Sequence, residues 1–297
     1  MSLLHYGDTI GLIAPSAGLD QKDLAPAENA LRDMGFVPLR ANNLTSSYRY
    51  MAGCDNARAA AINTMLLNPE VKALMCIRGG AGALRALPSL NFDLLRRNPK
   101  LIIGLSDSTA LQNAALARCA APSLSGFLPL YDTQDNRLNP QMAARLQSAL
   151  LDDNHTITSG TCPVSVQTQG EIVGGCLSVL CQLCGTPYFP DLTDKILLLE
   201  DIGEKTYKVD LMLQQLKLQP YFARLRAVIF GAFTDCPIQD PADGSIADCI
   251  NDFAQDLSIP VIRDFNYGHI PERHLLPLGI KTEICTSPQV CTLSWQA

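Results

Sequence analysis

Residues 72–116 read KALMCIRGGAGALRALPSLNFDLLRRNPKLIIGLSDSTALQNAAL. Two short apolar runs, Ala73–Ile77 and Leu101–Ile103, each stop at a glycine-bearing turn. A brief continuous apolar run bounded in this way reads as a strand buried on both faces. Between the runs, SLNFDLLRRNPK has helical spacing, and after the second run Ala110, Leu111, Ala114 and Ala115 recur at three- and four-residue intervals. Strand, helix, strand, helix predicts a parallel sheet with helices on both faces. Ligands on such sheets sit at the carboxyl ends of the strands. Arg78-Gly79-Gly80 and Ser106-Asp107-Ser108 both fall there.

The same grain extends upstream. DTIGLIAPS (8–16) is a strand running into a loop, LAPAENALRDMGF (24–36) a helix closed near Gly35, FVPLRAN (36–42) a second strand and NARAAAINTMLLNPEV (56–71) a helix closed by Pro69. Past residue 130 the pattern changes. YDTQDNRLNPQ (131–141) is polar and turn-rich, a linker by composition. HTITSGTCPVSVQTQGEIVGG (155–175) alternates apolar and polar residues, which predicts antiparallel strands. KILLLEDI, LRAVIFGAFTD and IPVIRDFNYGH read as strands, YKVDLMLQQLKLQ as a helix, and the tail LLPLGIKTEICTSPQVCTLSWQ as short strands. The expected fold is α/β in two domains. Residues 1–130 form a doubly wound, mostly parallel sheet, 131–165 a linker and the start of the second domain, and 166–297 a β-rich mixed α/β domain.

Composition narrows the function classes. Against 29 Asp+Glu the 23 Lys+Arg leave a net charge of −6 with no basic run, which argues against nucleic acid or an anionic membrane as partner. No apolar stretch approaches the roughly 18 residues of a membrane span. The start, MSLLHYGDTIGLIAPSAG, lacks the cationic head of a signal peptide. Eleven cysteines, an odd number without framework spacing, fit reduced thiols in the cytoplasm. Cys181 and Cys184 have C-x-x-C spacing, but in an apolar helical run and without a second pair, so they read as buried thiols rather than a metal site.

Several residues are candidates for chemistry, each with a plainer alternative. Ser106 could cap the helix that follows it. It could also stand on a strained strand–turn–helix elbow as a nucleophile, with Gly104 two residues before and Ser108, small but not glycine, two after. Gly79, Gly80 and Gly82 fail the dinucleotide fingerprint: Gly80 and Gly82 fit, but Arg85 stands where its third glycine belongs. They suit a tight turn, or backbone N–H groups brought close to a reacting oxygen. Glu200 ends a run of four apolar residues, so it is a buried carboxylate that needs a partner. That partner could be a structural cation or a histidine to be oriented. Of four histidines, His269 lies between Gly268 and Ile270-Pro271 in a rigid loop after a strand; His5 and His155 read as bystanders, and His274 lies in sequence resembling a loop rim.

Together these positions resemble the LD-carboxypeptidase family of serine peptidases, which includes muramoyltetrapeptide carboxypeptidases and microcin-immunity peptidases. The likeness runs through GDTIGLIAPSAG, YMAGCDNARAAAINTML, IRGGAGALRALPSLNFDLLRRNPKLIIGLSDSTAL, GGCLSVLCQLCGTPY, KILLLEDIGEKTYKVDLMLQQL and FNYGHIPERHLLPLG, nearly the whole chain. It implies a triad of Ser106, Glu200 and His269, with the backbone N–H groups of Gly80 and Asp107 as oxyanion hole. It implies hydrolysis of an L,D-peptide bond in murein tetrapeptides, no metal or other cofactor, a small peptide substrate and a cytoplasmic homodimer. Arg78 is placed to meet the leaving group's carboxylate. Two departures, Ala81 for the family's aromatic after RGG and Cys176 for the asparagine of GGNL, fall where substrate contacts are expected. One alternative is a peptidase of peptidyl- or aminoacyl-nucleotide antibiotics, although the single tryptophan, Trp295, offers little surface for a base. Another is a non-catalytic module that binds a small ligand.

Overall fold

The computed structural model describes residues 2–134 and 137–297, and its backbone is organised on one 13-stranded sheet. The strands are β1 (Thr9–Ile13), β2 (Val37–Arg40), β3 (Val71–Cys76), β4 (Leu101–Gly104), β5 (Ser123–Ser125), β6 (Asn154–Thr158), β7 (Val166–Cys176), β8 (Ile196–Ile202), β9 (Ala227–Thr234), β10 (Val261–Ile262), β11 (Leu276–Leu278), β12 (Lys281–Ser287) and β13 (Val290–Gln296). The main path runs β10-β9-β8-β7-β11-β5-β4-β3-β1-β2. In the amino-terminal half β2, β1, β3, β4 and β5 are all parallel, as the βαβα grain requires.

β7 to β10 form a second parallel set. The two sets join through β11, antiparallel to β5 and bridged to β7 at Leu278 and Ile172. The long β7 serves two purposes. Its residues 172–176 pair with β8, while 166–171 pair antiparallel with β12, which continues through β13 to β6. The alternating pattern at 155–175 therefore marks this antiparallel wing.

Helices cover the sheet: α1 (Gln21–Asp33), α2 (Asp55–Leu67), α3 (Phe92–Arg97), α4 (Thr109–Cys119), α5 (Pro140–Leu151), α6 (Thr206–Lys217) and α7 (Ile246–Gln255). β8 shows why its sequence is an unbroken apolar run. Ile196 and Leu198 point into the larger core, which holds most of the amino-terminal half, and Leu197 and Leu199 into a second core with Leu213 and Leu216 of α6 and Phe253 of α7. With no face towards water, there is no alternation to read.

Three readings need revision. Residues 140 and 141 of the expected linker open α5, which is capped by the Asn139 side chain and buries Met142, Leu146 and Leu150 completely. Leu4 N–H donates to Leu150 O at 2.9 Å, so α5 is fastened to the amino-terminal segment rather than spanning between bodies. Asp135 and Asn136 of that stretch lie outside the described residues. The strand expected over 259–269 is only Val261–Ile262, because Asp264 takes a left-handed φ of 53° and turns the chain into a loop. α7, with its Ser245–Asp248 capping box, has no counterpart among the expected elements.

Candidate active site

The elbow is built where β4 stops. Ser106 has φ 66°, a left-handed conformation that costs a non-glycine residue about 1–3 kcal/mol. A short 3₁₀ turn, Ser106–Ser108, then feeds α4. From Leu101 to Ala115 every residue is buried except Ser106. The capping alternative does not hold, since neither Ser106 nor Ser108 makes a side-chain cap to α4. The Ser108 hydroxyl instead donates to Leu105 O at 2.6 Å, tying the turn to the strand end, which explains a serine where the usual motif has glycine.

The Arg78–Gly82 loop lies directly against the nucleophile. A Cβ on Gly79 would fall 2.8 Å from Ser106 Cβ and 2.9 Å from its Oγ, so only glycine lets the two backbones approach this closely. Asp107 accepts a hydrogen bond from Ala83 N–H at 2.8 Å, locking the loop to the elbow. Burial pushes the Asp107 carboxyl up, opposed by this hydrogen bond and the nearby Arg58 charge. Arg58, fully buried, donates to Pro15 O, to Gly53 O at 3.1 Å and to Gly82 O at 2.7 Å, with Asp55 at 2.6 Å as counterion. It thereby holds three loops beyond strand ends together. Arg78 is exposed and donates to Gly18 O at 3.0 Å.

Glu200, two residues before the end of β8, accepts from His269 Nδ1 at 2.8 Å through Oε2. The carboxylate side chain is wholly buried, and its Oε1 has no hydrogen-bond partner among the described residues. Burial pushes the Glu200 carboxyl up, opposed by the hydrogen bond and charge of His269. Room for it depends on Gly268, where φ is +116° and a Cβ would sit 2.7 Å from Glu200 Oε2. The His269 loop is pinned by Thr234 Oγ1, which donates to His269 O at 3.1 Å.

α4 brings the halves together. Thr109, three residues past the nucleophile, accepts at Oγ1 from Cys176 N–H at 3.1 Å, and Asn113 makes two 2.9 Å hydrogen bonds with Gly174. Cys176 is the β7 neighbour of Glu200 in the ladder. The structure thus gathers Ser106, Gly79, Gly80 and Asp107 at the elbow, joins Glu200 to His269, and links the two groups through α4 and Cys176. No hydrogen bond links Ser106 to His269 among the described residues.

Cys176 is placed differently from the expected substrate contact: its side chain is buried, with Sγ 3.5 Å from both Ser178 Oγ and Asp201 Oδ1. Burial and the nearby Glu200 and Asp201 carboxylates hold its thiol well above the ordinary range. Asp201 accepts from Ser178 N–H at 2.7 Å and from Ser178 Oγ at 3.2 Å, so this network props the β7–β8 ends.

Sequence reading passed over the clamp formed by Tyr131, Asp132 and Arg273. Arg273, fully buried, donates through Nη2 to both Asp132 oxygens at 2.6 Å, through Nε to Gly126 O at 2.6 Å and through Nη1 to Ile270 O at 2.9 Å. Arg58 and this clamp left only a faint trace: an arginine inside otherwise apolar or Pro-rich sequence.

A strained, partly exposed serine at a strand-to-helix elbow beside a glycine loop, together with a hydrogen-bonded carboxylate–histidine pair, has the parts of a serine hydrolase. Comparison with known proteins carries this further. Residues 10–126 match the LD-carboxypeptidase N-terminal domain and residues 169–284 the LD-carboxypeptidase C-terminal domain. The chain belongs to the LD-carboxypeptidase family. It is 31% identical to the probable murein peptide carboxypeptidase of Bacillus subtilis, over 98% of this chain and 92% of that protein. It is 26% identical to the microcin C7 self-immunity protein MccF of Escherichia coli, over 95% of this chain and 91% of that protein. The crystal structure of muramoyltetrapeptide carboxypeptidase from Oxalobacter formigenes superposes with a TM-score of 0.88 at 27% identity, covering 97% of this chain and 99% of that one.

Proposed function

We propose that this protein is a serine LD-carboxypeptidase that releases C-terminal D-alanine from murein tetrapeptides by acyl transfer. The observation that carries the reading is Ser106, held at a left-handed φ and alone among residues 101–115 in not being buried. The names of the Bacillus and Oxalobacter relatives support the substrate class.

In the proposed mechanism Ser106 Oγ attacks the carbonyl carbon of the L,D-peptide bond while His269 Nε2 takes its proton. Glu200 accepts from Nδ1–H, keeps Nε2 free as the base and stabilises the imidazolium as it forms. The oxyanion is met by the N–H groups of Gly80 and Asp107, each worth about 3 kcal/mol in comparable chemistry. His269 then gives the proton to the departing D-alanine nitrogen. Water, deprotonated by the same imidazole, attacks the acyl-enzyme and restores Ser106. Contact between Ser106 and His269 tightens as substrate fills the cleft, as catalytic hydrogen bonds commonly do. Arg78 binds the D-alanine carboxylate. This chemistry needs no metal or organic cofactor, and the reading includes a homodimer working in the cytoplasm.

The MccF likeness keeps nucleotide-linked peptides as a second substrate class. Against it stands Trp295, which is buried and stacked on His155 at 4.8 Å, so it presents no free face to a nucleobase.

The test is incubation with L-Ala-γ-D-Glu-meso-diaminopimelate-D-Ala, following free D-alanine by mass spectrometry, with Ser106→Ala and an acyl-sulfamoyl adenylate in parallel. Release by wild type alone supports the reading. Cleavage of the adenylate but not the tetrapeptide moves the substrate to the MccF class. Absence of turnover on either leaves a ligand-binding module.

A further inference from the structure

Among the described residues His269 has one side-chain hydrogen bond, from Nδ1 to Glu200 Oε2. A single such bond anchors one ring atom and leaves the imidazole plane free to swing about it. Proton transfer needs Nε2 aimed at Ser106, so a second contact must limit that swing.

Tyr131 supplies such a contact. Its ring meets the His269 ring edge to face, with centroids 6.0 Å apart and planes at 88°. Such T-shaped packing is a favoured aromatic geometry. Tyr131 is 45% exposed, so it does not serve the core, yet it is firmly held. It lies in the short helical turn Pro129–Asp132, whose Pro129 and Asp132 are buried. The Arg273 guanidinium sits 4.9 Å from its ring centroid while binding both Asp132 oxygens and the Ile270 carbonyl beside His269. One buried arginine therefore links the turn that carries Tyr131 to the loop that carries His269.

We propose that Tyr131 is a positioning residue for His269, acting through its ring and not its hydroxyl to keep the imidazole in the plane that proton transfer requires. The proposal rests on the triad reading above.

A small fluorophosphonate tests it, because its reaction with Ser106 needs the imidazole but no peptide contacts. Full-length wild type, Tyr131→Phe, Tyr131→Leu and Ser106→Ala are compared for inactivation rate and for D-alanine release, with thermal unfolding to verify the fold. Loss of the ring in Tyr131→Leu lowers the inactivation rate and kcat together by about 10- to 100-fold, leaves KM within about threefold, and is rescued by Tyr131→Phe. Wild-type inactivation of a folded Tyr131→Leu overturns the proposal, even if KM rises, for Tyr131 would then be only a substrate contact. A drop in Tyr131→Phe equal to that in Tyr131→Leu also overturns it, because the hydroxyl would be the active part. If wild type does not react, or Ser106→Ala does, the triad falls and this proposal falls with it.

Discussion

Replacing Glu200 by glutamine separates the chemistry of the site from its stability. The carboxylate is fully buried, bonds His269 Nδ1 at 2.8 Å and has no other partner for Oε1 among the described residues. The amide fits the same space but carries no charge to support an imidazolium, and if its NH₂ faces Nδ1 it selects the tautomer in which Nε2 is no longer a base. The comparable change in another serine hydrolase lowers kcat by about 10⁴. A fall of about 10³–10⁴ is expected here, equivalent to about 4–5.5 kcal/mol of lost transition-state stabilisation.

Stability should move the other way. Burial raises the Glu200 carboxyl in the folded chain, so the native state holds its proton to higher pH than the unfolded state does. Stability contributed by this group is therefore present at low pH and lost as pH rises past the ordinary carboxylate range and through the raised value. The amide of the Glu200→Gln variant does not titrate and has no such loss. The melting temperature of Glu200→Gln minus that of wild type should be near zero in acid and become positive towards neutrality. D-alanine release and thermal scans across pH measure the two effects. A variant that keeps more than about a tenth of wild-type kcat would refute the assigned role of the carboxylate, and a melting-temperature difference that becomes more negative with rising pH would refute the burial argument.

Other substitutions probe the remaining parts. Ser106→Gly removes the nucleophile and also relieves the left-handed backbone, so activity should vanish while urea titration shows a gain of about 1 kcal/mol; a loss of stability would show that the elbow stores no strain. Gly268→Ala places a methyl 2.7 Å from Glu200 Oε2 at a φ of +116°, and should cost about 2 kcal/mol or more together with most of kcat; a neutral result would mean that the loop has room to move. Arg78→Ala should raise KM about 10-fold or more with kcat nearly kept, if the guanidinium binds the leaving carboxylate. Unchanged KM would leave it only its hydrogen bond to Gly18.

The parallel amino-terminal sheet was legible because strands buried on both faces leave uninterrupted apolar runs between helical ones, as in Leu101–Gly104 followed by α4. The linker reading of 131–141 failed at its far end for a local reason. Asn139 and Pro140 look like turn residues, yet they are also the N-cap and first residue of a helix, and the deciding signal, Met142, Leu146 and Leu150 at four-residue spacing, lies farther on. The joining of both parallel sets by β11 had no trace at all. A three-residue strand, Leu-Pro-Leu, pairs on one side with β5, about 150 positions earlier in the chain, and nothing local in it specifies that partner.

The candidate triad and the residues that hold it were unequally legible, and the physical reason is the same for both buried arginines. Nucleophile, base and carboxylate must be particular residue types, so Ser106, His269 and Glu200 can be sought by name. Loops beyond strand ends have another need: their carbonyls have left the ladder and still require donors. A guanidinium has five donors in a rigid fork and can satisfy several carbonyls at once. Arg58 does this for Pro15, Gly53 and Gly82, and Arg273 for Gly126 and Ile270. Each is ion-paired with a carboxylate, Asp55 (which also pairs with Arg85) or Asp132. Their acceptors are backbone atoms common to every residue, so no pairing rule in the sequence exposes them. What remains visible is a charge that ought to be at the surface and is completely buried. Such a charge is costly unless its partners are exact in position, which makes it a sensitive anchor for the loops on which the proposed chemistry depends.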